Sequence, residues 1–226
     1  MTKGLIYLKQ VTSNSYNLNG MHFSTGKGAI FFLLLFIAQF LFLVEKLKNI
    51  IKGCLKNDRQ MQSELYKMFA PKMYGLCLRF SANIQDAQDL LQEGFVKVYD
   101  NLENFKWKGS FEGWMRKIFV NLALDKYRSK ISLLSIDDFT ENQEPPDNDF
   151  NALDSISEKE ILELIRQLPD QYRMVFNLYV IEGYSHKELG EMLQIRESTS
   201  RSNLARAKMI LKEKIQFHSQ RIEKAI

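Results

Sequence analysis

The sequence predicts an all-α protein built as two small helical domains joined by an acidic flexible linker. Three observations carry this. Apolar residues recur with a period near 3.6 along most of the chain. There are only four prolines in 226 residues, and few alternating runs that would make strands. One stretch, "ISLLSIDDFTENQEPPDNDFNALDSIS", breaks the helical pattern with seven acids, no Lys or Arg, and two adjacent prolines. With 45% apolar and 26% charged residues, the composition is that of an ordinary globular protein.

The elements follow in chain order. Residues 1–44 form an extension. Its first 28 residues, rich in Asn, Ser and Gly, show no sustained period and predict poor order. Ala29 to Val44, "AIFFLLLFIAQFLFLV", has Gln39 as its single polar member and sits at the lower edge of membrane-span length. Lys46, Lys48, Lys52 and Lys56 follow it, so a spanning segment would keep the rest of the chain in the cytoplasm. Three readings compete: a mis-assigned start with translation beginning at Leu43 or Val44, a membrane anchor, or a segment packed on the domain. The first is favoured, and membrane becomes a partner only if residues 29–44 are translated and inserted.

The first domain spans 45–130. Leu47, Ile50, Ile51 and Cys54 make an amphipathic helix over 45–56. A helix near 62–80 carries Leu65, Phe69, Met73, Leu76 and Phe80 on one face, and Pro71 is expected to bend or break it. Asn83 is placed to cap a helix running to about 103, with Ala87, Leu91, Phe95, Val98 and Leu102 inward. Ser110 caps the next, whose stripe is Phe111, Trp114, Met115, Ile118 and Leu122. The linker is 131–156. The second domain, 157–217, opens on the capping box "SEKE", with Pro169 suited to a first turn and Gly183 to a helix end. "SHKE" at 185–188 repeats the box and starts a short helix ending at Leu193. "QIR" then turns the chain into a long helix from Glu197, which is helix-turn-helix spacing.

Charge is distributed unevenly around a net of +4. Arg196 to Lys224 carries eight basic and three acidic residues, behind a polar cluster, Ser198, Thr199, Arg201, Ser202 and Asn203, suited to base edges. Arg206, Lys208, Lys212 and Lys214 can reach phosphates. The bland alternative is a helical bundle with a solvated basic face. In the first domain, Ile84 to Asn104 has five acids and one Lys, whereas Phe105 to Lys130 has seven basic residues and two acids. That contrast suggests two partners, a protein that welcomes carboxylates and a nucleic acid. Trp107 lies between Lys106 and Lys108 on a Gly-containing loop, the setting that captures an unstacked base. The alternative is that Trp107 packs on its own domain. Lys117, Asn121 and Arg128 share one side of the last helix, with Arg116 beside them.

Catalysis has little to work with. Three His and two Cys show no metal-ligand spacing, and no nucleophile–base pair or phosphate-binding Gly loop stands out. Asp89 and Asp125 sit on different helices. No enzyme activity, cofactor or metal is expected, and Cys54 and Cys77 read as buried reduced thiols rather than a disulfide.

Four blocks, "DAQDLLQEGFVKVYDNL", "FKWKGSFEGWMRKIFVNLALDKYR", "LPDQYRMVFNLYVIEGYSHKELGEML" and "ESTSRSNLARAKMIL", together resemble the extracytoplasmic-function sigma factors of bacterial RNA polymerase. The wording of the last block resembles members from the Bacteroidetes. The resemblance covers about Glu45 to Ile215 and implies a cytoplasmic factor that binds core RNA polymerase, recognises −10 and −35 promoter elements and promotes DNA melting. It implies docking of Asp89, Gln92 and Glu93 on the clamp of the largest polymerase subunit. Contact with the −10 element falls to Trp107, Lys108, Arg116, Lys117 and Asn121. The −35 element falls to Ser198, Thr199, Arg201, Ser202 and Arg206. An anti-sigma factor is a further partner the family allows. The family usually has Ser where Arg196 stands; Arg cannot accept the capping bond, at a cost of about 1 kcal/mol. Two rivals remain: a free-standing helix-turn-helix activator, marked by tight DNA binding alone, and a membrane-attached helical adaptor, marked by membrane fractionation.

Overall fold

A computed structural model of the chain describes residues 26–133 and 157–223. Residues 1–25 and 134–156, most of the extension's polar start and most of the acidic linker, lie outside the described residues. The described residues contain helices and no strand. In chain order they are α1 (Gly26–Leu55), α2 (Arg59–Phe80), α3 (Ile84–Asp100), a 3-10 turn (Leu102–Asn104) and α4 (Phe111–Leu133). After the linker come α5 (Glu158–Arg166), α6 (Asp170–Phe176), a π turn (Asn177–Ile181), α7 (His186–Leu193) and α8 (Glu197–Glu223).

The chain divides into two compact units, Met1–Ile50 and Ile51–Ile226, and α1 runs across the boundary. In the first unit, α1 carries the apolar stretch, with Ile37, Leu41, Phe42 and Leu43 exposed. The helix expected over 45–56 therefore begins much earlier. No Gly or Pro interrupts residues 29–52, so nothing stops the helical ladder from extending backwards. Among the described residues no helix is long and apolar enough to cross a membrane.

In the second unit α2, α3 and α4 pack pairwise, and α5, α6 and α7 pack on α8. Pro71 does not break α2. The helix continues through it, with Phe69 and Met73 on either side buried in the core. Asp58 caps α2 through bonds from the Gln60 and Met61 N–H groups at 2.8 and 3.2 Å. Asn83 caps α3 by accepting from Asp86 N–H at 2.8 Å. That helix ends at Asp100 rather than 103, because the 3-10 turn takes over at Leu102. Both capping boxes form, Ser157 with Glu160 and Ser185 with Glu188.

The first core is Leu65, Phe69, Met73, Leu76, Ala87, Leu91, Phe95, Val98, Phe111, Met115, Phe119 and Leu122, all buried. Trp114 and Ile118, expected inward, are only half-buried, and Phe119 and Val120 take the interior positions. Gly94 makes the α3–α4 approach possible: a Cβ there would lie 2.1 Å from the Phe119 ring. The second core gathers Leu164, Ile165, Leu168, Ala207, Leu211 and Ile215. The two halves, expected as separate domains on a tether, also pack together, α2 on α5 and α6, and α4 on α7. Cys54 and Cys77 are free and buried; burial, the largest influence on each, pushes their thiols up to about 11 and about 12.

Candidate nucleic-acid interface

The loop before α4 is shaped by two residues with positive φ, Trp107 at 59° and Gly109 at 131°. A Trp in the left-handed region costs about 1–2 kcal/mol, so its surroundings must hold it there. They do. Phe105, Phe111 and Trp114 form an aromatic cluster with ring separations of 5.1–5.5 Å, and Trp107 sits at its edge, 4.9 Å from Phe105. Trp107 remains 46% exposed. The two sequence readings of this residue are therefore compatible: one side packs on its domain, the other is offered to solvent. Ser110 Oγ accepts from Gly113 N–H at 3.0 Å and fixes the start of α4 beside that loop.

Along α4, Lys117 and Asn121 are exposed one turn apart, and Lys108 is exposed on the loop before it. Asp125 continues their stripe and pairs with Arg128 at 3.5 Å. Arg116 departs from the expected arrangement. Its guanidinium is bound to Glu182, Nη2 at 2.8 Å and Nε at 3.3 Å, so it points to the second half of the protein rather than into open solvent. Arg128 likewise donates to the Met192 carbonyl, Nε at 2.9 Å. Two of the cations expected along this helix are thus engaged by the second half.

On α3, Asp89, Gln92 and Glu93 are exposed on one face, opposite the buried Leu91 and Phe95. Glu93 pairs with Lys126 at 2.6 Å, so part of its charge is answered within the protein. Sequence reasoning missed Val96, which is 58% exposed one turn beyond Gln92 and adds an apolar group to the face that carries Asp89 and Gln92. Its signal was its helical phase, the same as that of Asp89 and Gln92.

The second half forms the expected helix-turn-helix. Gln194 adopts the left-handed conformation at φ 57°, and Ile195 N–H bonds back to the Gly190 carbonyl at 3.1 Å. A Cβ at Gly190 would lie 3.0 Å from the Ile195 carbonyl oxygen, a tight contact that glycine relieves. Ser198 and Arg201 are exposed at the start of α8, and Arg201 pairs with Glu197 at 2.5 Å. Thr199 and Ser202 are half-buried, the Ser202 hydroxyl donating to the Thr199 carbonyl at 3.1 Å. Arg206, half-buried, donates to the Tyr172 hydroxyl at 3.2 Å. Asn203, expected to face bases, is instead only 4% exposed. It borders the stripe Ser200, Leu204, Ala207, Leu211, Ile215 that packs α8 on the core, and helical phase turns it inward. Ser200, unremarked in the sequence, is fully buried and hydrogen-bonded to His186 Nδ1 at 2.9 Å, joining the two helices of the motif. His186 also stacks on Tyr179 with ring centroids 4.2 Å apart. Burial above all, with help from Arg201, holds its pKa below the ordinary histidine value.

Among the described residues no group of three or more His, Cys, Asp or Glu could hold a metal ion. The chain matches the family descriptions "Sigma-70 region 2" over residues 65–131 and "Sigma-70, region 4" over residues 158–211. It is 32% identical over 160 residues to the ECF RNA polymerase sigma factor SigE of Mycolicibacterium smegmatis, covering 69% of this chain and 62% of that one. The chain belongs to the extracytoplasmic-function sigma-70 family. A second relative of this sigma factor, SigW of Bacillus subtilis, is 27% identical over 180 residues, covering 75% of this chain and 96% of the relative. The sigma factor RpoE of Bartonella quintana, solved with the anti-sigma factor NepR, aligns with a TM-score of 0.41 at 18% identity, covering 67% and 94% of the two chains. The protein is a transcription initiation factor and not an enzyme. Residues Leu65 to Ile131 are its region 2, and Glu158 to Leu211 its region 4.

Proposed function

We propose that this sigma factor works in the cytoplasm by three surfaces. The exposed face of α3, Asp89, Gln92, Glu93 and Val96, docks on core RNA polymerase, at the clamp of its largest subunit. Trp107, Lys108, Lys117 and Asn121, joined by Arg116 once it is released from Glu182, capture unpaired bases of the −10 element. Ser198, Thr199, Arg201, Ser202 and Arg206 contact the −35 element from the start of α8. The single observation that carries this reading is the exposed half of Trp107, held in a strained loop that leads into the helix carrying Lys117 and Asn121. A fixed aromatic face offsets part of the cost of unstacking a base, a few kcal/mol for each base flipped. Each DNA contact surface can be weak by itself, since polymerase and the linker hold both near the same promoter.

The wording of the recognition helix resembles that of Bacteroidetes members of the family; on that reading, core polymerase from that group should support more initiation than core from a distant one. The reading leaves room for an anti-sigma factor as a further partner. Run-off transcription on fragmented genomic DNA, with core polymerase and with or without the full chain, tests the function. New transcripts with defined starts are expected, and Asn121→Ala should lower open-complex yield while leaving polymerase binding intact. No added transcripts from the folded protein would return the chain to the free-standing activator.

A further inference from the structure

The apolar run of α1 meets solvent on more than one side. Ile37, Leu41, Phe42 and Leu43 are 44%, 60%, 69% and 46% exposed. Leu41, Phe42 and Leu43 are consecutive, and each helical step turns the side chain by about 100°, so they face three different sides. Further along, the same helix behaves as an ordinary amphipathic one, with Ile50, Ile51 and Cys54 buried. In sequence the run extends from Ala29 to Val44 with Gln39 as its single polar member, so no polar face balances the apolar one. Proteins rarely expose a contiguous apolar surface of this kind unless something covers it. A partner groove or a second copy of the helix covers one side and leaves the others wet. A surrounding apolar medium covers them all.

Charge selects the medium. Lys46, Lys48, Lys52 and Lys56 follow the run, and the one acid among them, Glu45, is paired with Lys48 at 3.4 Å. Lys46, Lys52 and Lys56 are exposed. At a rise of about 1.5 Å per residue, Lys46 and Lys48 lie roughly 3–6 Å beyond Val44, the depth of a lipid headgroup layer. Lys52 lies about 12 Å beyond it, still within reach of a negative surface potential. We infer that the apolar run of α1 embeds in an anionic lipid surface, with Lys46 and Lys48 among the headgroup phosphates and the sigma regions kept on the cytoplasmic side. As a helix the run is about 24 Å long, short of the ~30 Å hydrocarbon core, so it enters the bilayer without crossing it. None of its residues belongs to the polymerase or promoter surfaces, so attachment and promoter contact are separate properties of the chain.

Flotation of the full chain with vesicles tests the attachment. Vesicles of phosphatidylcholine mixed with phosphatidylglycerol should carry the protein upward, and phosphatidylcholine alone should carry much less. Each lysine near a negative surface contributes about a fivefold gain in partition, so Lys46→Gln with Lys52→Gln should weaken binding roughly 25-fold at low salt. Leu41→Glu with Phe42→Glu places two charges in the run at exposed positions and should abolish flotation. The same double variant should match wild type in thermal melting and in run-off transcription without vesicles, which separates lost attachment from misfolding and from failure of the promoter reading. Phe42→Trp should be quenched by brominated lipid chains above the background that Trp107 and Trp114 give in wild type. A chain that stays unfloated, or that floats equally well after Leu41→Glu with Phe42→Glu, overturns the inference. Self-association with no quenching of the introduced Trp overturns it in favour of a second copy. A native protein whose intact mass begins at Leu43 or Val44 lacks the run and overturns it as well.

Discussion

Replacing Trp107 by Ala separates packing from base capture, because the structure bounds each. About half of the ring is covered, chiefly by Phe105 at 4.9 Å. Aromatic side chains bury some 150–250 Å² in full, so the covered part is about 100 Å². At about 25 cal/mol per Å² its loss costs at most ~2.5 kcal/mol of stability, an upper bound because unfolded chains already hide some surface. The positive φ brings no relief, since Ala has a Cβ and suffers the same crowding. On the functional side, stacking on an aromatic side chain is worth about 1–3 kcal/mol per base, or roughly a 5- to 150-fold loss in the open-complex equilibrium. The assay is permanganate reactivity of unpaired thymines at a promoter found by run-off transcription. It uses saturating core and equal concentrations of folded sigma factor, with folding followed by thermal melting. Trp107→Phe keeps a flat face and should retain most of the signal while losing some stability. If Trp107→Ala lowers the melting temperature yet forms open complexes as well as wild type, Trp107 is only the lid of its aromatic cluster and the capture argument fails.

Three other outcomes follow from the geometry. Asp89→Lys reverses a charge at an exposed position of α3 and should weaken binding to core polymerase in a pull-down without shifting the melting temperature; unchanged affinity removes Asp89 from the docking face. Gly94→Ala drives a methyl group into the buried Phe119 ring, so overpacking of about 1–3 kcal/mol should outweigh the gain of up to ~1 kcal/mol in helix propensity. Chemical denaturation measures the net loss, and Gly94→Ala combined with Phe119→Leu should recover part of it. His186, whose pKa is lowered by burial and by Arg201 and Lys208 against the opposing pull of Glu197, favours the neutral ring in the folded protein. Stability from this source is complete above the ordinary histidine range and is lost as pH falls from there through the lowered folded value. Melting curves between neutral and mildly acidic pH should show that fall, and His186→Asn should flatten it.

Much of the molecule was legible from local signals. The capping boxes at Ser157 and Ser185, the Asn83 cap and the inward stripes of α2 and α3 follow from spacing alone, because their partners lie within one turn. The turn before α8 was legible for the same reason. Errors arose where a second layer of packing intervened. Asn203 has a side chain suited to base edges, yet its phase beside the Ser200–Leu204 stripe turns it inward. Pro71 is a local breaker that core packing on both sides overrides. The start of α1 was misplaced because the change from apolar run to amphipathic stripe looked like a boundary, whereas the backbone needs only the absence of a breaker.

The sequence by itself determined the helices, their caps, the helix-turn-helix spacing and the separation of acidic from basic faces, since each depends on neighbours a few positions apart. Only the tertiary structure decided which charges remain available. Arg116 and Arg79 meet Glu182 across separations of 66 and 103 residues, and the Arg128 bond to Met192 spans 64. No local rule pairs side chains so distant in the chain. Their meeting is fixed by how two cores pack and by a π turn that aims one carboxylate between two guanidinium groups.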